Sequence, residues 1–461
     1  VTVNSNGDGI VGIFTDGMKT AGSNPYEGNN FGTIDLSVSN SSTGMYLSNA
    51  RGQNKGTIKI KDDGIGIYGV NINTDIYNEG LISVGENSAG IYGDDIKSVT
   101  NLSVGSIEST KNSNVGIYIK TGADSITNAG TINLSDDSTG IYGENTVINN
   151  NGNIAVGNKA ETSSVGIYGM GSVINNTGNI KTGKMGVAFY AENSVININS
   201  GNIDISDSGT MVYGNYSTIH YNSGIDLTAS GEPLVYLINS SMNFNGVDIS
   251  ASKGGVTLYQ EGISSITGYN NLILGTGATG IYGVNTDIIN SGQIKTGENS
   301  IGITGIDSNI NNNSTISGTE KGTGIYSELN TSGRSTVINN NSSIILDKDQ
   351  SVGIYINTTD NAGNVLGSTT VNNIGSIQLG SASSLDTAAI GIYGTGGVTI
   401  NNSGSVNAGT NSIGLYSKNG STITNGGIIL GDQSVGVYQS GGTAVTAGNI
   451  SVGDNGGVAL F

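Results

Sequence analysis

Apolar residues in this chain come in short bursts, and the bursts recur. Aligned on Gly-Ile-Tyr, an aromatic returns at Phe14, Tyr46, Tyr68, Tyr92, Tyr118, Tyr142, Tyr168, Tyr190, Tyr213, Tyr236, Tyr259 and Tyr282. The series passes through Thr304 and resumes at Tyr326, Tyr355, Tyr393, Tyr416, Tyr438 and Phe461. Most steps are 20 to 26 residues, and from Tyr190 to Tyr282 every step is 23. Residues 279–300 show the unit cleanly: Ile281-Tyr282, Ile288–Asn290 and Ile294–Thr296 are β-prone pieces separated by Gly, Asn and Ser. No window carries a helical apolar period. Three short strands and three turns per repeat describe one triangular coil.

One such coil cannot bury its own apolar side chains, but stacked coils pair every backbone group with the coil above and below. The expected fold is therefore all-β: a right-handed parallel β-helix of about twenty coils, roughly 90–100 Å long if coils rise about 4.8 Å each. It is read as one solenoid over residues 1–461, with divergent coils at 207–275 where Gly-Ile-Tyr becomes Met-Val-Tyr, Leu-Val-Tyr and Thr-Leu-Tyr.

Strand alternation assigns faces. The residue before each Tyr is apolar (Ile67, Ile91, Ile117, Ile141) and is expected inside, together with the residue three before it (Ile65, Ala89, Val115, Thr139). The Tyr and the Gly two before it then share the outer face, forming an exposed aromatic ladder; a tyrosine at a corner, folded inward, is the alternative. A second column holds Asn78, Asn128, Asn150, Asn176, Asn222, Asn245, Asn290, Asn340, Asn373, Asn402 and Asn425. It is expected to be an amide ladder, each side chain bonding its equivalent one coil away.

Composition agrees with this pattern and narrows the chemistry. Of 461 residues 76 are Gly and two are Pro, and proline is excluded from long ladders because it donates no N–H. The net charge of −18 repels phosphate, so neither nucleic acid nor an anionic membrane surface is an expected partner, and no membrane-inserting segment is visible. One histidine (His220) and no cysteine leave nothing with which to build a zinc site or a His-based triad. The 17 basic residues are scattered and no acidic pair recurs at one divergent place, so no enzyme activity and no cofactor are expected.

Acidic residues recur six positions before the Tyr: Asp62, Glu86, Asp136, Asp207, Glu298, Glu320, Asp349 and Asp432. Such a column could hold Ca²⁺, but the calcium-binding nonapeptide of β-rolls is absent, and a solvated acidic edge is the expectation. In the divergent coils Tyr221, Phe244 and Tyr269 each precede the ladder position. Counted outward from the Asn, they form an exposed aromatic stripe suited to a sugar face or a protein partner. Insertions at 15–31, 157–164, 327–335, 357–368 and 381–388 read as side loops, with Tyr26 and Arg334 the residues in them most suited to recognition.

The repeat SxGIYGxN…INNxGxI, as in 138–154 and 164–180, resembles the passenger regions of large autotransporter adhesins of the fusobacterial type. The resemblance covers almost the whole chain and weakens across 207–275. It implies secretion, anchoring to the outer membrane by a region outside this chain, and adhesion to a host-cell or bacterial surface protein or glycan. It rests on scaffold positions, so it carries over no functional residue. The chain begins at Val1, and both ends fall inside the repeat, so it reads as a segment of a longer solenoid. A purely structural surface fibre is the competing reading, and a polysaccharide-acting β-helix enzyme a more distant one.

Overall fold

Each repeat lays down short strands that turn at Gly, Asn and Ser, and in the computed structural model these strands stack coil on coil as parallel sheets. The structure describes residues 2–4, 7–17, 26–157, 163–206, 208–229, 233–252, 254–318, 321–347, 349–419, 422–442, 445–446 and 448–461. Asp207 and Glu320, named above, lie outside the described residues, as does the side chain of Asn425. The described residues form a β-solenoid of about 18 turns, against the twenty coils expected. Contacts group the chain into two units, Val1–Ser223 and Gly224–Phe461.

In the first unit the coil at Tyr142 shows the plan. Thr139–Glu144 pairs in register with Val165–Met170, Val147–Asn150 with Val173–Asn176, and Asn153–Val156 with Asn179–Thr182. Three strands per coil thus build three parallel faces, the tyrosine, asparagine and third faces. Ile141, Ile148 and Ile154, one from each strand, are fully or almost fully buried and meet in the core. In the second unit the coil at Tyr282 repeats this plan with Ala278–Val284, Asp287–Asn290 and Gln293–Thr296.

Long insertions leave the stack intact. Tyr326, Tyr355 and Tyr393 remain register partners, although the last step is lengthened by side loops at 357–368 and 381–388. The first loop closes through an antiparallel bridge between Thr359 and Val365, and the second holds a single 3-10 turn, Leu385–Thr387.

Two face assignments need correction. Ile65, Ala89, Val115 and Thr139 are only half-buried, whereas Gly66, Gly90, Gly116 and Gly140, expected outside, are buried. Two consecutive inward residues, such as Gly140-Ile141, break the alternation in every such strand. Glycine permits this because a Cβ on Gly140 would lie 2.5 Å from the Gly166 carbonyl oxygen in the next coil. The same approach recurs from Gly66 to Gly90 (2.4 Å) and from Gly391 to Gly414 (2.4 Å). In the divergent coils, and in the coil of Tyr190 just before them, the position takes side chains instead: Ala188, Met211, Leu234 and Thr257, all buried.

Candidate functional site

The tyrosines stand half-buried on the outer side of their face, as the alternation predicts, and stack face to face. In the first unit nine rings run from Phe14 to Tyr213 with centroids 4.5–5.3 Å apart. In the second, Tyr236, Tyr259 and Tyr282 form one stack, and Tyr326 to Phe461 form another. Between these two stacks Thr304 pairs in register with Tyr282 and Tyr326, and its buried hydroxyl has no hydrogen-bond partner. Burial pushes the phenols of Tyr68, Tyr92 and Tyr142 above the ordinary value of 10.0, with neighbouring tyrosines and acids adding to the effect.

The asparagine ladder is built as expected, though not from every residue expected. Asn30, Asn54, Asn78, Asn101, Asn128, Asn150 and Asn176 are buried, and each Nδ2 but the last donates to the next Oδ1 at 2.7–2.8 Å. In the second unit the chain runs from Asn290 through Asn312, Asn340 and Asn373 to Asn402. Asn30, Asn54, Asn101 and Asn312 escaped the sequence reading, whereas Asn222 and Asn245 do not belong to the ladder. Asn222 is exposed and bonds Asn199, and Asn245 sits in a left-handed turn at φ 50°.

That one-residue error also misplaced the aromatic stripe. Register pairs Asn176 with Ile198 and Ile198 with Tyr221, so Tyr221 itself occupies the inward ladder position. Tyr221, Phe244 and Tyr269 are buried, with 1%, 0% and 3% of their surface exposed, and present no stripe to a partner. Because strand period is two, a slip of one residue exchanges inside for outside. Tyr269 instead starts the second unit's ladder, its hydroxyl donating to Asn290 Oδ1. Where Phe244 and Tyr269 stand in place of Asn, the turn after the asparagine strand opens into the long bulged strands Ser241–Ala251 and Ser265–Leu274.

Other candidates separate cleanly. His220 is exposed in register with Asn197. Along the acidic turn, Asp62 accepts the Glu86 N–H at 2.8 Å, and the described residues contain no group of three or more His, Cys, Asp or Glu placed to hold a metal ion. Tyr26 is exposed, its ring lying over Gly17.

The insertion at 327–335 does more than loop out. Leu329 is buried, and its N–H bonds the Asn357 carbonyl at 3.0 Å, which anchors the start. Asp307, in a left-handed corner at φ 51°, then takes up the loop. Oδ1 accepts the N–H groups of Asn330 (3.0 Å) and Thr331 (3.2 Å), and Oδ2 accepts the Thr331 hydroxyl at 2.7 Å. At the far end the Gly333 N–H bonds the Leu366 carbonyl at 2.6 Å, and the Ser368 N–H bonds the Arg334 carbonyl at 3.0 Å. Arg334 is thereby held from both sides. Its side chain reaches back across two coils, Nη2 donating to Asn285 Oδ1 (2.6 Å) and to the Asp307 carbonyl (3.2 Å).

The result is a groove of about 430 Å³ whose walls include Ile263, Asp287, Ile289, Asp307, Asn309 and Arg334. Nε of Arg334 is buried without a partner, and no hydrogen bond among the described residues uses Nη1. Asp287 Oδ1 accepts from Asn309 Nδ2 at 2.8 Å. Ile263 is 84% exposed and Ile289 42%. The sequence marked Arg334 as a recognition residue in a side loop; the groove itself was illegible, because its walls come from four successive repeats. No protein-family model matches the chain, and no curated protein matches it in sequence.

Proposed function

We propose that this chain is the repetitive scaffold of a cell-surface adhesin, holding recognition loops on a stack of β-coils. The observation that supports this most is the indifference of the stack to insertions. Tyr355 and Tyr393 stack at 4.7 Å across the most heavily inserted coil, so loops can be added without disturbing the scaffold. A rigid framework carrying variable side loops is an arrangement suited to binding. The likeness of the repeat to autotransporter passenger regions supports this reading, on which the protein stands outside the cell, anchored through a region beyond this chain. Its partners on this reading are proteins or glycans of a host-cell or bacterial surface.

The test is direct. Beads coated with the purified chain are expected to retain intact bacterial or host cells saturably, and soluble chain is expected to compete. Absence of retention across a broad panel of cells would reject the adhesin and leave the second reading, a structural fibre, which the continuous backbone ladder favours.

A further inference from the structure

We infer that the Arg334 groove binds an uncharged saccharide unit of a surface glycan, an inference that rests on the adhesive reading and names its ligand class. A sugar ring needs hydrogen-bond donors and acceptors within a ring's width of one another and an apolar surface for its C–H face. The groove supplies all three. Nη1 of Arg334 offers two N–H groups that no described protein group uses, and the Asp287 carboxylate and the Asn309 amide bring acceptors and further donors. Ile263 and Ile289 provide exposed apolar surface beside them.

The site is also set in advance. The loop that carries Arg334 is fastened by the three bonds to Asp307 and the backbone bond to Leu366, so little ordering cost remains for a ligand. The chain's other arginine, Arg51, is already committed to the Tyr77 ring at 4.7 Å. Charge selects among sugars. Two carboxylates against one guanidinium line the groove, and the chain carries −18, so acidic sugars are disfavoured and neutral ones are not. The volume of about 430 Å³ falls in the range, roughly 300–1,000 Å³, of small-ligand clefts.

Saturation-transfer NMR and calorimetry on the whole chain would use the methyl glycosides of galactose, glucose, N-acetylgalactosamine and N-acetylglucosamine, short neutral oligosaccharides containing them, and the glycosides of N-acetylneuraminic and glucuronic acids. At least one neutral compound is expected to bind. Arg334→Gln, Asp287→Ala and Ile263→Asp are each expected to weaken it tenfold or more. Should Arg334→Gln disturb the loop, Ile263→Asp decides the matter, since that side chain is exposed and its loss cannot unfold a coil. Binding to none of the neutral compounds, preference for the acidic sugars, or affinity unchanged in Ile263→Asp would overturn the inference. Cell retention without sugar binding refutes the groove's role alone, and sugar binding without cell retention refutes the adhesive reading alone.

Discussion

Beside each Ile-Tyr pair, a carbonyl from the next coil leaves no room for a Cβ. Gly140→Ala would bring that atom within 2.5 Å of the Gly166 oxygen, a backbone atom that cannot swing aside. We expect a loss of about 1–3 kcal/mol, read as a lower urea midpoint. The buried amides are equally constrained. Asn150→Leu removes the acceptor for Asn128 and the donor to Asn176, leaving two buried groups unpaired at a cost of roughly 2–4 kcal/mol. Asn175→Ala, on the half-buried outer row where Asn175 donates to Asn149 at 3.0 Å, is expected to cost less than about 0.5 kcal/mol. Equal losses at positions 150 and 175 would show that burial of the inner ladder is not what matters. At this scale the sequence was legible wherever one residue type served one purpose. Asparagine serves two, the left-handed corner (Asn145, φ 50°) and the inward ladder (Asn150), and a column drawn by residue type alone drifts from one position to a neighbouring one.

At the scale of the element, the three β-prone pieces of the repeat became three strands, two within a residue of their expected bounds and the first, Ile281-Tyr282, extended to Ala278–Val284, because Gly and Asn set the corners and Ile fills the core. What the pattern did not disclose was the buried serine at the corners. Asn114 N–H bonds Ser138 Oγ at 3.2 Å, and Ser172 N–H bonds Ser194 Oγ at 3.0 Å, so a hydroxyl of one coil satisfies the backbone of the one before. Nothing in local periodicity signals a bond across more than twenty residues. The tyrosine ladder yields two predictions. Thr304→Tyr should complete the broken stack between Tyr282 and Tyr326 and raise stability by about 0.5–1.5 kcal/mol per new ring pair, seen as a higher melting temperature. An unchanged or lower value would mean that the flanking rings have closed over the gap. The second concerns pH. The folded phenols of Tyr68, Tyr92 and Tyr142 titrate above their unfolded value of 10.0, chiefly through burial, so the folded chain holds protons there that the unfolded chain releases. Stability should be level in this respect below pH 10 and fall as pH rises beyond it, with phenolate absorbance appearing later in the native chain than in urea. Coincident titrations in both states would contradict the ladder's burial.

For the whole molecule, the repeat period alone was enough to announce a solenoid, because twenty-odd residues holding three strands leave no other way to bury the isoleucines. The Arg334 groove was a different matter. It arises where an insertion in one repeat folds back over two earlier ones, and no period encodes that; only the unusual arginine hinted at it. The account as a whole depends on the register of one coil over the next, and the absence of native cysteine lets that register be measured cleanly. Cysteines placed in pairs at Asn153 and Asn179 in the first unit, and at Asn407 and Ile429 in the second, occupy directly opposed strand positions. Under mild oxidation both pairs are predicted to form intramolecular disulfides in high yield, since opposed Cα atoms about 5 Å apart suit that bond. The control pair at Asn153 and Lys181, displaced two residues along the strand, is predicted to stay reduced. Cross-linking of the displaced pair in preference to the opposed ones would contradict the stacked-coil fold.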